Sequence, residues 1–189
     1  MKKLIVLGIT GASGGLYSKR IIEKLSERKE KIYIIASDNG QKIFEEETGS
    51  NLVKFVKTFG NFTIEDEKNF YSPIASGSND FDVLICPSSM GFLSRCAAGV
   101  SQSLLERAVD VALKERNKVL FVIRESPLNI IHLENMLKIS KAGAIVMPAS
   151  PFFYFKPKDI DDLVNHFADR VLKVFLKDFN IDKRWSSNG

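Results

Sequence analysis

Cysteine, histidine and tryptophan are scarce in this 189-residue chain, which has two, two and one of them. Cys86 and Cys96 stand without the companions that a zinc site requires, and His132 and His166 fall in helical patterns with no partner at metal-ligand spacing. No metal is therefore expected, and the histidines read as packing or surface groups. No apolar run is long enough to span a bilayer, and no signal-peptide pattern is present. These absences point to a reduced, cytoplasmic protein with no membrane partner. Repeats and low-complexity tracts are also missing. The formal charge is only +4, and the Lys and Arg residues are scattered through helical segments rather than massed in a stripe. That argues against nucleic acid as a partner and toward small anionic molecules.

What is present is an alternation of apolar runs and helical patterns. Residues 3–9, 31–36, 81–86, 119–123 and 143–147 are short, nearly continuous apolar segments of the kind found in a parallel sheet covered on both faces. Between them lie helical stripes, including Tyr17, Ile21 and Leu25, then Leu104, Leu105, Ala108, Val111 and Ala112, and a final helix over 159–176. The segment 51–79 is less regular and reads as a short helix, one or two extended pieces and a Ser/Gly-rich loop. The expected fold is a three-layer αβα Rossmann-like (flavodoxin-like) domain with a largely parallel sheet. One domain covers 1–176, and 177–189 is a tail expected to dock on a neighbouring subunit.

In such a sheet, ligands bind beyond the carboxyl ends of the strands. Gly11, Ala12 and Ser13 form a glycine-rich turn after the first strand, suited to an anion at a helix N-terminus, although its spacing is not the dinucleotide fingerprint. Ser37 follows the second strand, either as a simple N-cap or as a phosphate ligand. Ser88 and Ser89 follow the third long run. Arg124 and Glu125 sit at the tip of 119–123, before Ser126 and Pro127 lead into an amphipathic helix. They form either an internal ion pair or part of a site. Glu45, Glu46 and Glu47 read as a solvated run for two of the three. Arg107 and Lys114, with Asp110 between them, read from spacing as a surface ladder. Tyr154 has a polar tip free to leave the aromatic run 152–155.

The segments TGASGG (10–15), ASGS (75–78), ICPSSMG (85–91), LLERAVDVALKERNKVLFVIRESPLNIIHLENM (104–136), GAIVMP (143–148), FYFKP (153–157) and RW (184–185), in that order, resemble the UbiX-type flavin prenyltransferases. The resemblance implies transfer of a dimethylallyl group from dimethylallyl phosphate or diphosphate to reduced FMN at N5 and C6. The product is a prenylated FMN cofactor for a UbiD-type decarboxylase. It also implies a metal-independent enzyme and a homo-oligomer, a dodecamer, with sites at subunit contacts. By the same resemblance, Gly11, Ala12, Ser13, Ser37, Ser89, Met90, Gly91, Phe92 and Arg124 contact FMN. Arg107, Lys114, Tyr154, Arg170 and the tail residue Trp185 serve the prenyl donor. Ser13, Glu47 and Glu125 handle protons.

Five positions depart from the family pattern: Phe70, Ser88, Arg95, Gln102 and Ser103. Arg95 places a charge where small or apolar residues are typical. A flavin-dependent decarboxylase of cysteine-type substrates and a non-catalytic FMN carrier are the alternatives. The first lacks its own catalytic His and Asn-bearing motif here. The second does not account for the set Arg107, Lys114, Glu125, Tyr154 and Arg170.

Overall fold

The apolar runs become strands whose alternate residues face opposite helical layers. The computed structural model describes residues 3–180. Its strands are β1 (Leu4–Ile9), β2 (Ile32–Ala36), β3 (Phe62–Ile64), β4 (Phe81–Ser88), β5 (Val119–Ile123) and β6 (Ile145–Pro148). The helices are α1 (Gly15–Ser26), α2 (Asp38–Thr48), α3 (Leu52–Val56), α4 (Met90–Ala97), α5 (Leu104–Lys114), α6 (Ile130–Lys141) and α7 (Ile160–Phe175). All strand pairs are parallel, in the order β3-β2-β1-β4-β5-β6. Successive strands are therefore added to opposite sides of β1, with β2 and β3 on one side and β4, β5 and β6 on the other, and this switch between β1 and β4 opens a crevice at their carboxyl ends.

Val6, Val83, Ile85, Phe121 and Ile123 pack with α4 and α5 in one core. Ile5, Leu7, Leu84, Leu120 and Val122 pack with α1 and α7 in the other. Burying a side chain such as Phe121 on this scale contributes about 2–3 kcal/mol. The three-layer fold inferred from the alternation is the fold observed. Its least regular stretch resolves into α3, β3 and a single 3-10 turn at Pro73–Ala75.

Two local expectations need correction. Strand β4 runs past Cys86 to Ser88, because a register shift between Ile85 and Ser88 accommodates Pro87 and lets Ser88 pair with Ile123. Helix α6, expected to be amphipathic, begins at Ile130 after the Ser126-Pro127 turn and buries little of its apolar surface. Asn129 and His132 form its capping box, and of its residues Ile139 alone is buried. Ile130, Ile131, Leu133 and Leu137 are exposed, at 65, 61, 47 and 56%. Apolar residues occur around more than one side of this helix, and the sheet and α4 can cover only one of them.

Candidate functional site

The ends of β1, β2 and β4 meet at the switch point, and their local chemistry fixes the loops there. Thr10 is buried. Its Oγ1 donates to the Pro87 carbonyl at 3.0 Å and accepts the Ser89 amide at 2.7 Å. The loop after β1 is thereby tied to the loop after β4. Ser37 caps α2 by accepting from the Gly40 amide at 3.1 Å, and Ser89 caps α4 by accepting from the Phe92 amide at 3.3 Å. The opening amides of both helices have no intrahelical acceptor, so two positive dipole ends face the crevice. Gly11 is needed for closeness: a Cβ there would stand 2.9 Å from the Cβ of Asn39.

A cavity of about 460 Å³ fills this crevice. It is lined by Thr10, Gly11, Ser37, Asn39, Ser89 and Phe92, with Glu67, Arg95 and the α5 entrance at its border. That volume lies within the usual range for cofactor pockets. Among the described residues, Arg95 is the one cation of its lining. Burial and the charge of Asp38 beside it raise the Glu67 carboxyl above its ordinary range. Glu106 is 2% exposed, and its Oε2 accepts the amides of Gln102 and Ser103 at 2.7 and 3.1 Å. The Ser103 hydroxyl accepts the Glu106 amide in return, completing a capping box whose S-x-x-E signature is visible in the sequence.

The structure brings together only part of the expected set. Gly11, Ser37, Ser89 and Phe92 line one cavity. Ala12 and Met90 are buried beside it, whereas Ser13 and Gly91 are exposed. Arg124 and Glu125 lie beyond β5, both exposed and not bonded to each other. The Arg124 amide donates to the Ser88 carbonyl at 3.3 Å, and Glu125 accepts the Ser126 amide at 3.2 Å. Glu47 is half-buried and accepts the amides of Gly14 and Gly15, while Glu45 and Glu46 are exposed. The expected division of that charge run is the one observed.

Arg107 pairs with Asp110 at 2.8 Å and donates to the Ala75 carbonyl at 3.1 Å. Lys114 contacts Glu115 at the far end of α5, about 15 Å along the axis from the cavity. Tyr154 stacks on Phe152 with ring centroids 4.8 Å apart, and Arg170 is exposed on α7. None of these four lines the cavity. Trp185 and the rest of the tail beyond residue 180 lie outside the described residues. Sequence reasoning did not assign Thr10, Asn39, Glu67 or Glu106 to the site. Thr10 adjoins the glycine turn and was within reach, whereas Glu67 comes from an irregular segment that carries no periodic signal.

The donor set fits a phosphorylated, flat aromatic ligand. Hydroxyls, helix N-termini and a guanidinium suit a phosphate, and Phe92 with the apolar walls of Ile35 and Leu105 suits apolar surface. Comparison with known proteins agrees. The sequence matches the Flavoprotein family over residues 1–172. It is 46% identical over 184 residues to the flavin prenyltransferase UbiX of Methanocaldococcus jannaschii, covering 97% of this chain and 98% of that one. The structure of AnUbiX (PadA1) in complex with FMN and dimethylallyl pyrophosphate matches with a TM-score of 0.89 and 30% identity, over 98% of this chain and 100% of the other. A dodecameric FMN-dependent UbiX-like decarboxylase from Escherichia coli O157:H7 matches with a TM-score of 0.89 and 33% identity, over 96 and 98% of the two chains. The chain belongs to the UbiX-type flavin prenyltransferases, within the Flavoprotein family.

Proposed function

We propose that this protein joins a dimethylallyl group, from dimethylallyl phosphate or diphosphate, to N5 and C6 of reduced FMN and passes the prenylated cofactor to a UbiD-type decarboxylase. The observation that carries the reading is the switch-point cavity, where Gly11, Ser37, Ser89 and Phe92 meet in a chain of this family. When bound, the reduced flavin supplies the nucleophile.

Gly11, Ala12, Ser13, Ser37, Ser89, Met90, Gly91 and Phe92 hold FMN, and Arg124 contacts it from the neighbouring strand end. Breaking the allylic C–O bond leaves charge on the departing phosphate. Arg107, Lys114, Tyr154 and Arg170 are the donors assigned to stabilise that charge without reorganisation. Ser13, Glu47 and Glu125 handle the protons released on ring closure. Trp185 is assigned to closing the site.

Because Lys114 lies at the opposite end of α5 from its own cavity, its role requires a neighbouring copy. The exposed apolar residues of α6 support assembly into a homo-oligomer, which we take to be a dodecamer. Cys86 and Cys96, both unpaired and buried, are in keeping with a reducing cytoplasm. Among the described residues, no helix is long and apolar enough to cross a membrane.

The test is incubation with reduced FMN and each donor in turn, without metal, followed by mass detection of the prenylated flavin. Formation of the adduct with either donor is expected. No adduct with both would overturn the assignment.

A further inference from the structure

The cavity borders on two carboxylates, Glu67 and Glu106, yet its hydroxyls and helix ends suit an anion. Something must offset the carboxylates before a phosphate can enter. Arg95 stands in the second turn of α4, and side chains on a helix lean toward its N-terminus. Its guanidinium accordingly reaches back over the first turn: Nη1 is 3.6 Å from where a Cβ on Gly91 would stand. The Arg95 Nε donates to Glu106 Oε1 at 2.5 Å. That acceptor is buried and fixed through its other oxygen by the amides of Gln102 and Ser103. The guanidinium is therefore held in one orientation by a rigid partner.

With Nε engaged, Nη1 and Nη2 carry no hydrogen bond to another described residue, and the Arg95 side chain is 48% exposed. A guanidinium with one edge anchored and the other open is preorganised for an oxyanion. Glu106 by itself would repel a phosphate, but its charge is shared among Arg95, two amides and the N-terminus of α5.

Resting on the flavin reading of this cavity, we propose that Arg95 is a phosphate-binding residue of this chain, clamped by Glu106, and that it makes the site discriminate FMN from riboflavin. A purely structural Arg95, present only to neutralise Glu106, would affect folding but not that discrimination.

The experiment measures dissociation constants of the full chain for oxidised FMN and for riboflavin, by quenching of flavin fluorescence, at low and high salt. For Arg95→Met the FMN constant is expected to rise about 10- to 100-fold while the riboflavin constant changes about twofold or less. The salt dependence of FMN binding should shrink with it. Arg95→Lys keeps the charge without the fork and is expected to fall between wild type and Arg95→Met. The double variant Arg95→Met/Glu106→Gln removes the unpaired buried carboxylate and so separates binding from folding. It is expected to be folded and to show the same loss of preference for FMN. An unchanged FMN-to-riboflavin ratio in the folded double variant would overturn the proposal while leaving the flavin site intact. Failure of the wild type to bind FMN would overturn both.

Discussion

Glu47 Oε2 accepts the amide of Gly14 at 2.9 Å and that of Gly15 at 2.6 Å. A carboxylate from α2 thus occupies the N-terminus of α1, the helix that follows the glycine-rich turn. Gly14 is there for its backbone, with φ of 134°, and Gly15 because a Cβ would stand 3.0 Å from the Phe44 backbone. The N-terminus of α1 is thereby already met by a carboxylate, whereas the starts of α2 and α4 line the cavity. Replacing Glu47 by Ala should lower stability by about 1–2 kcal/mol, since it frees two amides at a helix start. Glu47→Gln keeps an acceptor and should lose less. Urea denaturation orders the three proteins, and an Ala variant as stable as wild type would refute the capping role.

The Thr10 hydroxyl is the tie between the loops after β1 and β4. Thr10→Val preserves shape but leaves the Ser89 amide and the Pro87 carbonyl without this partner, a loss of about 1–3 kcal/mol for buried groups. Thr10→Ser retains the hydroxyl and should recover most of it. Because Ser89 begins α4, flavin affinity should fall in Thr10→Val and return in Thr10→Ser. Parallel denaturation and FMN titration provide the check.

Most of the sheet was legible in the sequence because strands buried on both faces are apolar throughout, and 119–123 was placed to the residue. Strand-end position also marked Ser37 and Ser89, since a parallel sheet collects its loops at one edge. What escaped reading was tertiary. Glu67 enters from the irregular segment beside β3, and its alignment depends on the Leu104 amide donating to its carbonyl at 2.6 Å. The outward apolar residues of α6 broke the expected pattern because periodicity identifies an apolar face without identifying what covers it.

Glu67 couples stability to pH. Burial, then the nearby charge of Asp38, raises its folded pKa above the unfolded value. Between those two values the folded state binds more protons, so stability falls as pH rises through the window, which begins near the ordinary glutamate range. Above the window the penalty is constant, and below it the penalty is absent. Glu67→Gln should therefore remove that decline from a thermal-melt profile across mildly acidic pH. It should also tighten FMN binding by about two- to tenfold at neutral pH, by removing a negative charge from the cavity rim. A decline of the same size in the variant would assign it to another group.

Ile130, Leu133 and Leu137 are among the exposed apolar residues of α6. Leu133→Asp combined with Leu137→Asp should leave the monomer folded, with stability within about 0.5 kcal/mol of the isolated wild-type fold. If α6 is the assembly surface, light scattering should report dissociation to smaller species. An unchanged particle mass would move the assembly surface elsewhere.

Lys114 offers the sharpest test of sites shared between copies. It lies beside Gly77, near the amino ends of the strands, while the cavity of its own chain opens at their carboxyl ends. A Lys114 that serves catalysis must therefore act in the cavity of a neighbouring chain. Lys114→Ala should retain FMN but lose prenyl transfer by about 100-fold or more, as expected on removing a charge from a developing oxyanion. A flavin-site variant such as Ser37→Tyr should lose FMN outright. Mixed, unfolded and reassembled together, the two inactive proteins should recover roughly a quarter of wild-type activity, because random assembly pairs an intact cavity with an intact Lys114 in that share of sites. No recovery from mixed particles of native mass would mean that the lysine serves its own chain, or none, and the geometry of α5 excludes the former.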